Sequence, residues 1–321
     1  MSCRPRPIVL VLLLALAGCQ PATEPAPTSL AGDALLALRA RYGAPTQVFS
    51  YNPQRVDVFR TASGGALATG SQAFLDITTG SPAPGPLRLE VREVLTKADM
   101  VLSGVPSMGQ GEVYESGGHY LVQASTADHR YLLLSPRVKL GLAVPTPPQL
   151  TGVYNLGVYC PAQFGSLPLG WQPSPDTASS VRPSAALFAG DPVYLRGLIA
   201  KGLYDTNSGW LSFARPFTRA YVPTSVRVHT DQPAAAAGNA AVYLVFSDYN
   251  AVAQLAPVSG GDFALPNMPG GAAVTVFALY GTGGKLYFGQ RADTIRTGRV
   301  LAVALTEHSA AEVAALAHLL P

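Results

Sequence analysis

The sequence predicts a mainly β protein, built as tandem β-sandwich-like modules with short helices at its N- and C-terminal ends. Three observations carry this. Leu87-Arg88-Leu89-Glu90-Val91-Arg92 alternates strictly, so three aliphatic side chains face one way and three charges the other, as on a half-buried strand. Thirty-two glycines and 28 prolines in 321 residues punctuate short apolar segments along the whole chain. Helical patterning is confined to one stretch after residue 32 and to the end of the chain, so strand should exceed helix at least about twofold, against the usual excess of helix.

The first element is not part of the fold. Arg4 and Arg6 precede an apolar run from Ile8 to Ala17, the pattern of a secretory signal. As a helix that run spans about 15 Å, half of a roughly 30 Å hydrocarbon core, so it is too short to serve as a transmembrane anchor. It closes on Leu16-Ala17-Gly18-Cys19, which resembles the lipobox of bacterial lipoproteins. The resemblance implies a signal peptide over 1–18, cleavage before Cys19 and lipid on the Cys19 thiol. Two or more acyl chains, each contributing about 0.8 kcal/mol per buried methylene, give stable anchoring. Gln20 stands where an aspartate commonly holds such proteins at the inner membrane, so delivery to the cell outer membrane is expected. Residues 19–32 follow as a Pro-rich tether with no apolar periodicity.

Losing Arg4 and Arg6 with the signal leaves Lys and Arg one ahead of Asp and Glu, and no basic cluster marks a nucleic-acid partner. Charged residues make up 13% of the chain, about half the usual share. Of three cysteines, Cys3 leaves with the signal and Cys19 is committed to lipid, so Cys160 has no thiol partner and reads as a small buried hydrophobe.

A short helix is expected from Asp33 to Tyr42, with Leu35 and Leu38 on one face, Gly43 as cap and Pro45 as stop. The alternating strand at 87–92 follows. Tyr120 to Ser125 and Tyr131 to Leu134 read as a hairpin through Thr126-Ala127-Asp128-His129, and Val138, Leu140, Leu142 and Val144 alternate again. Pro145-Thr146-Pro147-Pro148 marks a boundary that closes a first module over 33–146. A middle β-rich region over 151–232 contains a second expected hairpin, Val193–Tyr204 with Trp210–Phe217, turning through Asp205-Thr206-Asn207-Ser208-Gly209. A third module over 236–321 holds buried-type strands at 242–246, 274–280 and 300–305. It ends on a helix announced by the capping box Ser309-Ala310-Ala311-Glu312, with Val313, Leu316 and Leu320 on one face.

Two stretches resemble known modules. Ala73-Phe74-Leu75-Asp76, Leu87 to Glu93, Ala98-Asp99-Met100, Gly104-Val105-Pro106 and Glu115-Ser116-Gly117-Gly118 resemble a β-sandwich module, over about 48–146, that recurs in lipoproteins of the Gram-negative envelope. That module is more distantly similar to the β-sandwich of ankyrins and netrin receptors. Gly261-Asp262-Phe263-Ala264-Leu265-Pro266-Asn267-Met268-Pro269-Gly270-Gly271 resembles the core of carboxypeptidase-regulatory, transthyretin-like β-sandwiches, over about 238–306. Such modules are structural appendages, so neither resemblance brings a catalytic residue with it.

The chain holds no Gly-x-Ser-x-Gly elbow, no His-Glu-x-x-His, no Walker loop and no dinucleotide-binding glycine motif. Asp205, Asn207 and Gly209 have a calcium-like spacing, but the loop's required glycine and glutamate positions hold Trp210 and Pro216. His119 and His129 sit apart on the proposed hairpin, and Glu112 with Glu115 form an acid-base pair only if the fold assembles one. No cofactor and no metal site is expected. The remaining handle is aromatic: Trp171, Trp210 and Tyr204, with Tyr154, Tyr159 and Tyr221, concentrate in the middle region, where they either fill a sandwich core with their polar ends satisfied locally, the commoner arrangement, or form an exposed platform that stacks on sugars or grips a partner. The functional reading is a lipid-anchored envelope protein with a non-catalytic binding or structural role, its partner an envelope protein or glycan. The alternative is an envelope polysaccharide or peptide hydrolase built on distant carboxylates, and a third reading is a subunit of a larger envelope complex.

Overall fold

The computed structural model describes residues 33–109, 111–135, 140–145, 156–161, 170–173, 180–184, 194–199, 209–217, 221–232, 235, 239–258 and 260–321. The signal, Cys19, the tether and Tyr204 lie outside the described residues. The protein is mainly β: 55% strand against 11% helix, in several sheets with three short helices. None of these helices is long and apolar enough to cross a membrane.

The first sheet runs in the order β1 (Thr46–Tyr51), β5 (Leu87–Val94), β7 (Glu112–Ser125), β14 (Trp210–Pro216), β10 (Gly157–Pro161), β11 (Trp171–Pro173), with β6 (Met108–Gly109) beside β7. The second runs β12 (Ser180–Ser184), β13 (Tyr194–Ile199), β9 (Leu140–Pro145), β3 (Ala66–Thr69), β2 (Asp57–Arg60). They face each other across one core. Leu87, Leu89 and Val91 of β5, Tyr120 and Val122 of β7 and Phe213 of β14 meet Leu67 of β3 and Leu140, Leu142 and Val144 of β9. The outer face of β5 carries the charges, with Arg88 Nε 2.6 Å from Glu90 Oε1, as the alternation requires. Cys160 lies in β10 opposite Gln172; its side chain is outside the described set.

Both expected hairpins come out differently. Thr126 to Arg130 does form a tight turn, closed by Thr126 N donating to Arg130 O at 3.0 Å, and Ser125 bridges Tyr131. Beyond that bridge β8 (Leu132–Leu134) leaves to pair with β4 (Phe74–Asp76). The second hairpin is not formed: β13 pairs with β9 and β12 in the second sheet, whereas β14 pairs with β7 and β10 in the first. Alternation identifies a strand and its buried face, but its partner is set by whichever sheet edge buries that face best. For the same reason the strands on either side of the 145–148 prolines, β9 and β13, share one sheet.

The third sheet, in the order β21 (Val300–Val303), β15 (Pro223–Thr230), β18 (Asp262–Pro269), β17 (Val252–Pro257), β16 (Ala240–Phe246), β19 (Ala273–Thr282), β20 (Lys285–Thr294), β22 (Thr306–His308), curls into a half-barrel around its own core of Val228, Leu244, Phe246, Phe263, Met268 and Val276. It takes in β15, which precedes the third module as read from sequence. Its two edges belong to one stretch of chain: β21 pairs in parallel with β15, and β22 then pairs with β20.

The helices fill the space between the first and third sheets. α1 (Asp33–Tyr42) buries Leu35 and Leu38 and ends as Gly43 N donates to Arg39 O. α3 (Ala310–Ala317) has the expected Ser309/Glu312 capping box and buries Val313, Ala314 and Ala317, with Leu316 and Leu320 packed at the margin. Between them lies α2 (Lys97–Ser103), absent from the sequence reading. Thr96 and Asp99 cap it reciprocally, and Gly104 ends it at φ 68°, a conformation open to glycine without strain. These helices pack Met100, Leu38 and Val313 against Tyr243, Phe277 and Leu279 of the third sheet and Trp171 and Val94 of the first.

At Gly109 the backbone of β6 lies against β11 so closely that a Cβ would sit 1.7 Å from Trp171 O. Gly109→Ala is therefore expected to destabilise by about 1–3 kcal/mol or more, because backbone rather than a mobile side chain must give way. Urea denaturation checks this; an unchanged midpoint would show that the two strands separate freely.

Candidate functional site

The site is a groove at one end of the half-barrel, about 350 Å³, within the size range of small-ligand pockets. Three pieces of chain form it. The first is Phe217, Tyr221 and Val222, between β14 and β15; the second is Asp248 and Tyr249 in the turn from β16 to β17; the third is Pro269-Gly270-Gly271-Ala272, leading from β18 into β19.

Each piece is fixed by backbone bonds. Gly270 N donates to Val222 O at 3.0 Å, an approach that a side chain would obstruct, since a Cβ there meets the same oxygen at 2.9 Å. Gly271, at φ +85°, donates to Ile295 O at 2.8 Å. In the β16–β17 turn Phe246 N donates to Ala251 O and Ala251 N to Tyr249 O. Aromatic packing sets the wall: Phe217 lies 5.2 Å from the buried Phe246 ring and 4.6 Å from Tyr249.

The back of the same turn is pinned to the first sheet. Lys97, almost fully buried on α2, donates from Nζ to Phe246 O at 2.5 Å and Ser247 O at 3.1 Å. Burial pushes its ammonium down to about 8, and the Asp248 charge opposes that shift. Asn250 Nδ2 donates to Leu95 O at 3.0 Å and Ser116 O at 2.8 Å, and Ser116 N donates back to Asn250 O. The turn is thus held by Lys97 and Asn250 on either side of Asp248, which is exposed, and Tyr249, which is half-buried. The side chains of Tyr221, Asp248 and Tyr249 make no hydrogen bond to a described residue.

The aromatic residues singled out from sequence are dispersed. Trp171 is fully buried: its Nε1 donates to Pro106 O at 2.8 Å and its indole stacks on His119 at 4.8 Å and 6°. It presents no face to a ligand, because the helical layer covers that side of the first sheet. Trp210 is half-buried at the start of β14 and packs on the same interior cluster. Tyr159 is buried against Tyr114, 4.7 Å away. Of the aromatics named from sequence and described, Tyr221 alone lines the groove. Phe217, Asp248 and Tyr249 were not foreseen. Their signal was the Ser-Asp-Tyr-Asn run directly after the apolar strand 240–246, a turn sequence that puts a carboxylate and an aromatic ring on an exposed loop.

Two other polar clusters lie away from solvent. His119 is fully buried, with Nδ1 2.8 Å from Ser212 Oγ and Nε2 3.4 Å from Ser116 Oγ, and burial holds its imidazole down at about 3. Both serines are equally buried, so this pairing leaves no space for a substrate atom. Glu115 is buried against Arg215, whereas Glu112 is exposed, so the fold does not assemble those two carboxylates into a pair. His129 stands in an exposed turn at φ +62°. Among the described residues no three His, Cys, Asp or Glu side chains group as metal ligands.

No protein-family model, curated protein or solved structure matches the chain.

Proposed function

We propose that this is a lipid-anchored protein of the bacterial outer membrane that binds an envelope partner without transforming it. The observation that carries the binding role is the groove itself: aromatic side chains and a single described carboxylate converge on a cavity of ligand size, held on backbone turns pinned from behind. A hydrolytic site of the glycosidase type needs two carboxyl groups about 5–9 Å apart, and the groove's described lining offers Asp248 for that role and no second. The anchoring part rests on Leu16-Ala17-Gly18-Cys19 and on a Pro-rich tether that ends where α1 begins, at Asp33. The two module resemblances support the same assignment, since both belong to non-catalytic β domains.

Two measurements test the proposal. Cys19→Ala removes the thiol to which lipid is attached, and is expected to move the protein from the detergent phase to the aqueous phase on Triton X-114 partitioning. Retention of the variant in carbonate-washed membranes would sink the lipoprotein assignment. For the groove, Tyr249→Ala should abolish binding of solubilised envelope fragments, with Tyr249→Leu as a packing control. Equal binding by both variants and the parent would place the binding surface elsewhere.

A further inference from the structure

Resting on the reading of the groove as a binding site, we infer that its ligand is a peptide side chain of the lysine type: an aliphatic stem ending in an ammonium group. Phe217, Tyr249 and Tyr221 line the groove with ring surface, two of the rings carrying phenol groups, and the exposed Asp248 adds a carboxylate. Among the described residues Asp248 takes part in no hydrogen bond or ion pair; Lys97 lies within range of its charge but directs two of its three N–H groups to Phe246 O and Ser247 O. A carboxylate beside aromatic rings is the arrangement that attracts an organic cation, since ring faces and carboxylate act with the same sign. A methylene stem buries along rings while its charged head stays at the wet rim.

Size and polarity decide against a sugar chain. A cavity of about 350 Å³ is at the small end for ligand sites, and an oligosaccharide brings many hydroxyls, each needing a partner once desolvated. The described side chains lining the groove offer one carboxylate and two phenols. A single stem with one terminal charge leaves none of its polar groups unmatched.

The test is a titration of the detergent-solubilised full-length protein, carrying isotopically labelled tyrosine, with three probes: acetyl-Ala-Lys-Ala-amide, the same peptide with the lysine Nε acetylated, and N-acetylglucosamine trisaccharide. Expected are saturable shifts of the Tyr221 and Tyr249 resonances with the lysine peptide, binding roughly five- to tenfold weaker for the acetylated peptide, and a similar loss on Asp248→Asn. Asp248 is exposed, so this variant should fold, and Tyr249→Phe keeps the ring while testing the phenol. If the acetylated peptide binds equally well, or Asp248→Asn changes nothing, the ammonium inference falls while the groove remains a binding site. Shifts with the trisaccharide and none with the peptide overturn it in favour of a glycan. No shift with any probe would sink both the inference and the groove reading.

Discussion

Glu115→Ala is expected to destabilise the protein by about 3–5 kcal/mol, the usual cost of removing one partner from a buried ion pair. Glu115 and Arg215 are cross-strand neighbours on β7 and β14, with Arg215 Nε 2.7 Å and Nη2 2.6 Å from the same carboxylate oxygen. The two side chains are 3% and 9% exposed, so neither charge is shared with bulk water. Burial raises the Glu115 carboxyl above its ordinary range, with Arg215 opposing, which means desolvation outweighs the attraction of its partner. Each of the two buried charges has the other as an ion-pair partner. Replacing both by methionine should cost less than Glu115→Ala alone, because the single variant leaves the Arg215 guanidinium buried without the Glu115 carboxylate. Guanidinium denaturation of the three proteins checks this, and a double variant as unstable as the single one would show that the pair stabilises outright.

The second large effect is acid sensitivity through His119. Its folded-state proton affinity is depressed to about 3 by complete burial, while an unfolded histidine titrates near 6.5. As pH falls below about 6.5 the unfolded chain takes up a proton that the folded protein refuses. Stability is then lost at about 1.4 kcal/mol per pH unit, on the order of 3 kcal/mol by pH 4. Glu115 works in the opposite sense, since a carboxyl with a raised folded-state affinity protonates first in the native protein. The informative comparison is thus between the parent and His119→Asn, whose amide reaches the Nδ1 position beside Ser212 and carries no titrating group. Denaturation midpoints measured between pH 7 and pH 4 should fall less steeply in the variant. A parent-like slope in His119→Asn would move the acid-sensitive group elsewhere in the molecule.

Both predictions concern residues the sequence left without a role. Along the sequence Glu115 pairs with Glu112 only if the fold assembles them, and His119 lies too far from His129 on the expected hairpin to share an ion. Spacing along a strand says which side chains share a face; it does not say that β14 lies opposite β7 and brings Arg215 and Ser212 against them. Trp171 shows the same limit from the other side. A tryptophan between prolines and glycines reads as a core residue more readily than as an exposed platform, and the packing of β11 under the helical layer is what buries it.

What the sequence determined by itself was local. The bounds of α1, the Ser309/Glu312 cap of α3, the inward and outward faces of β5 and the dominance of strand all follow from backbone preference and apolar period over a few residues. The tertiary structure decided which strands pair, that β9 and β13 share a sheet across the prolines, and where the groove lies. Its lining comes from residues 217, 221–222, 248–249 and 269–272, joined through the register of the half-barrel and the hold of Lys97 and Asn250 on one turn. Pairing and groove alike arise from long-range burial of one element's apolar face on another, and no window of a single strand or turn carries that information.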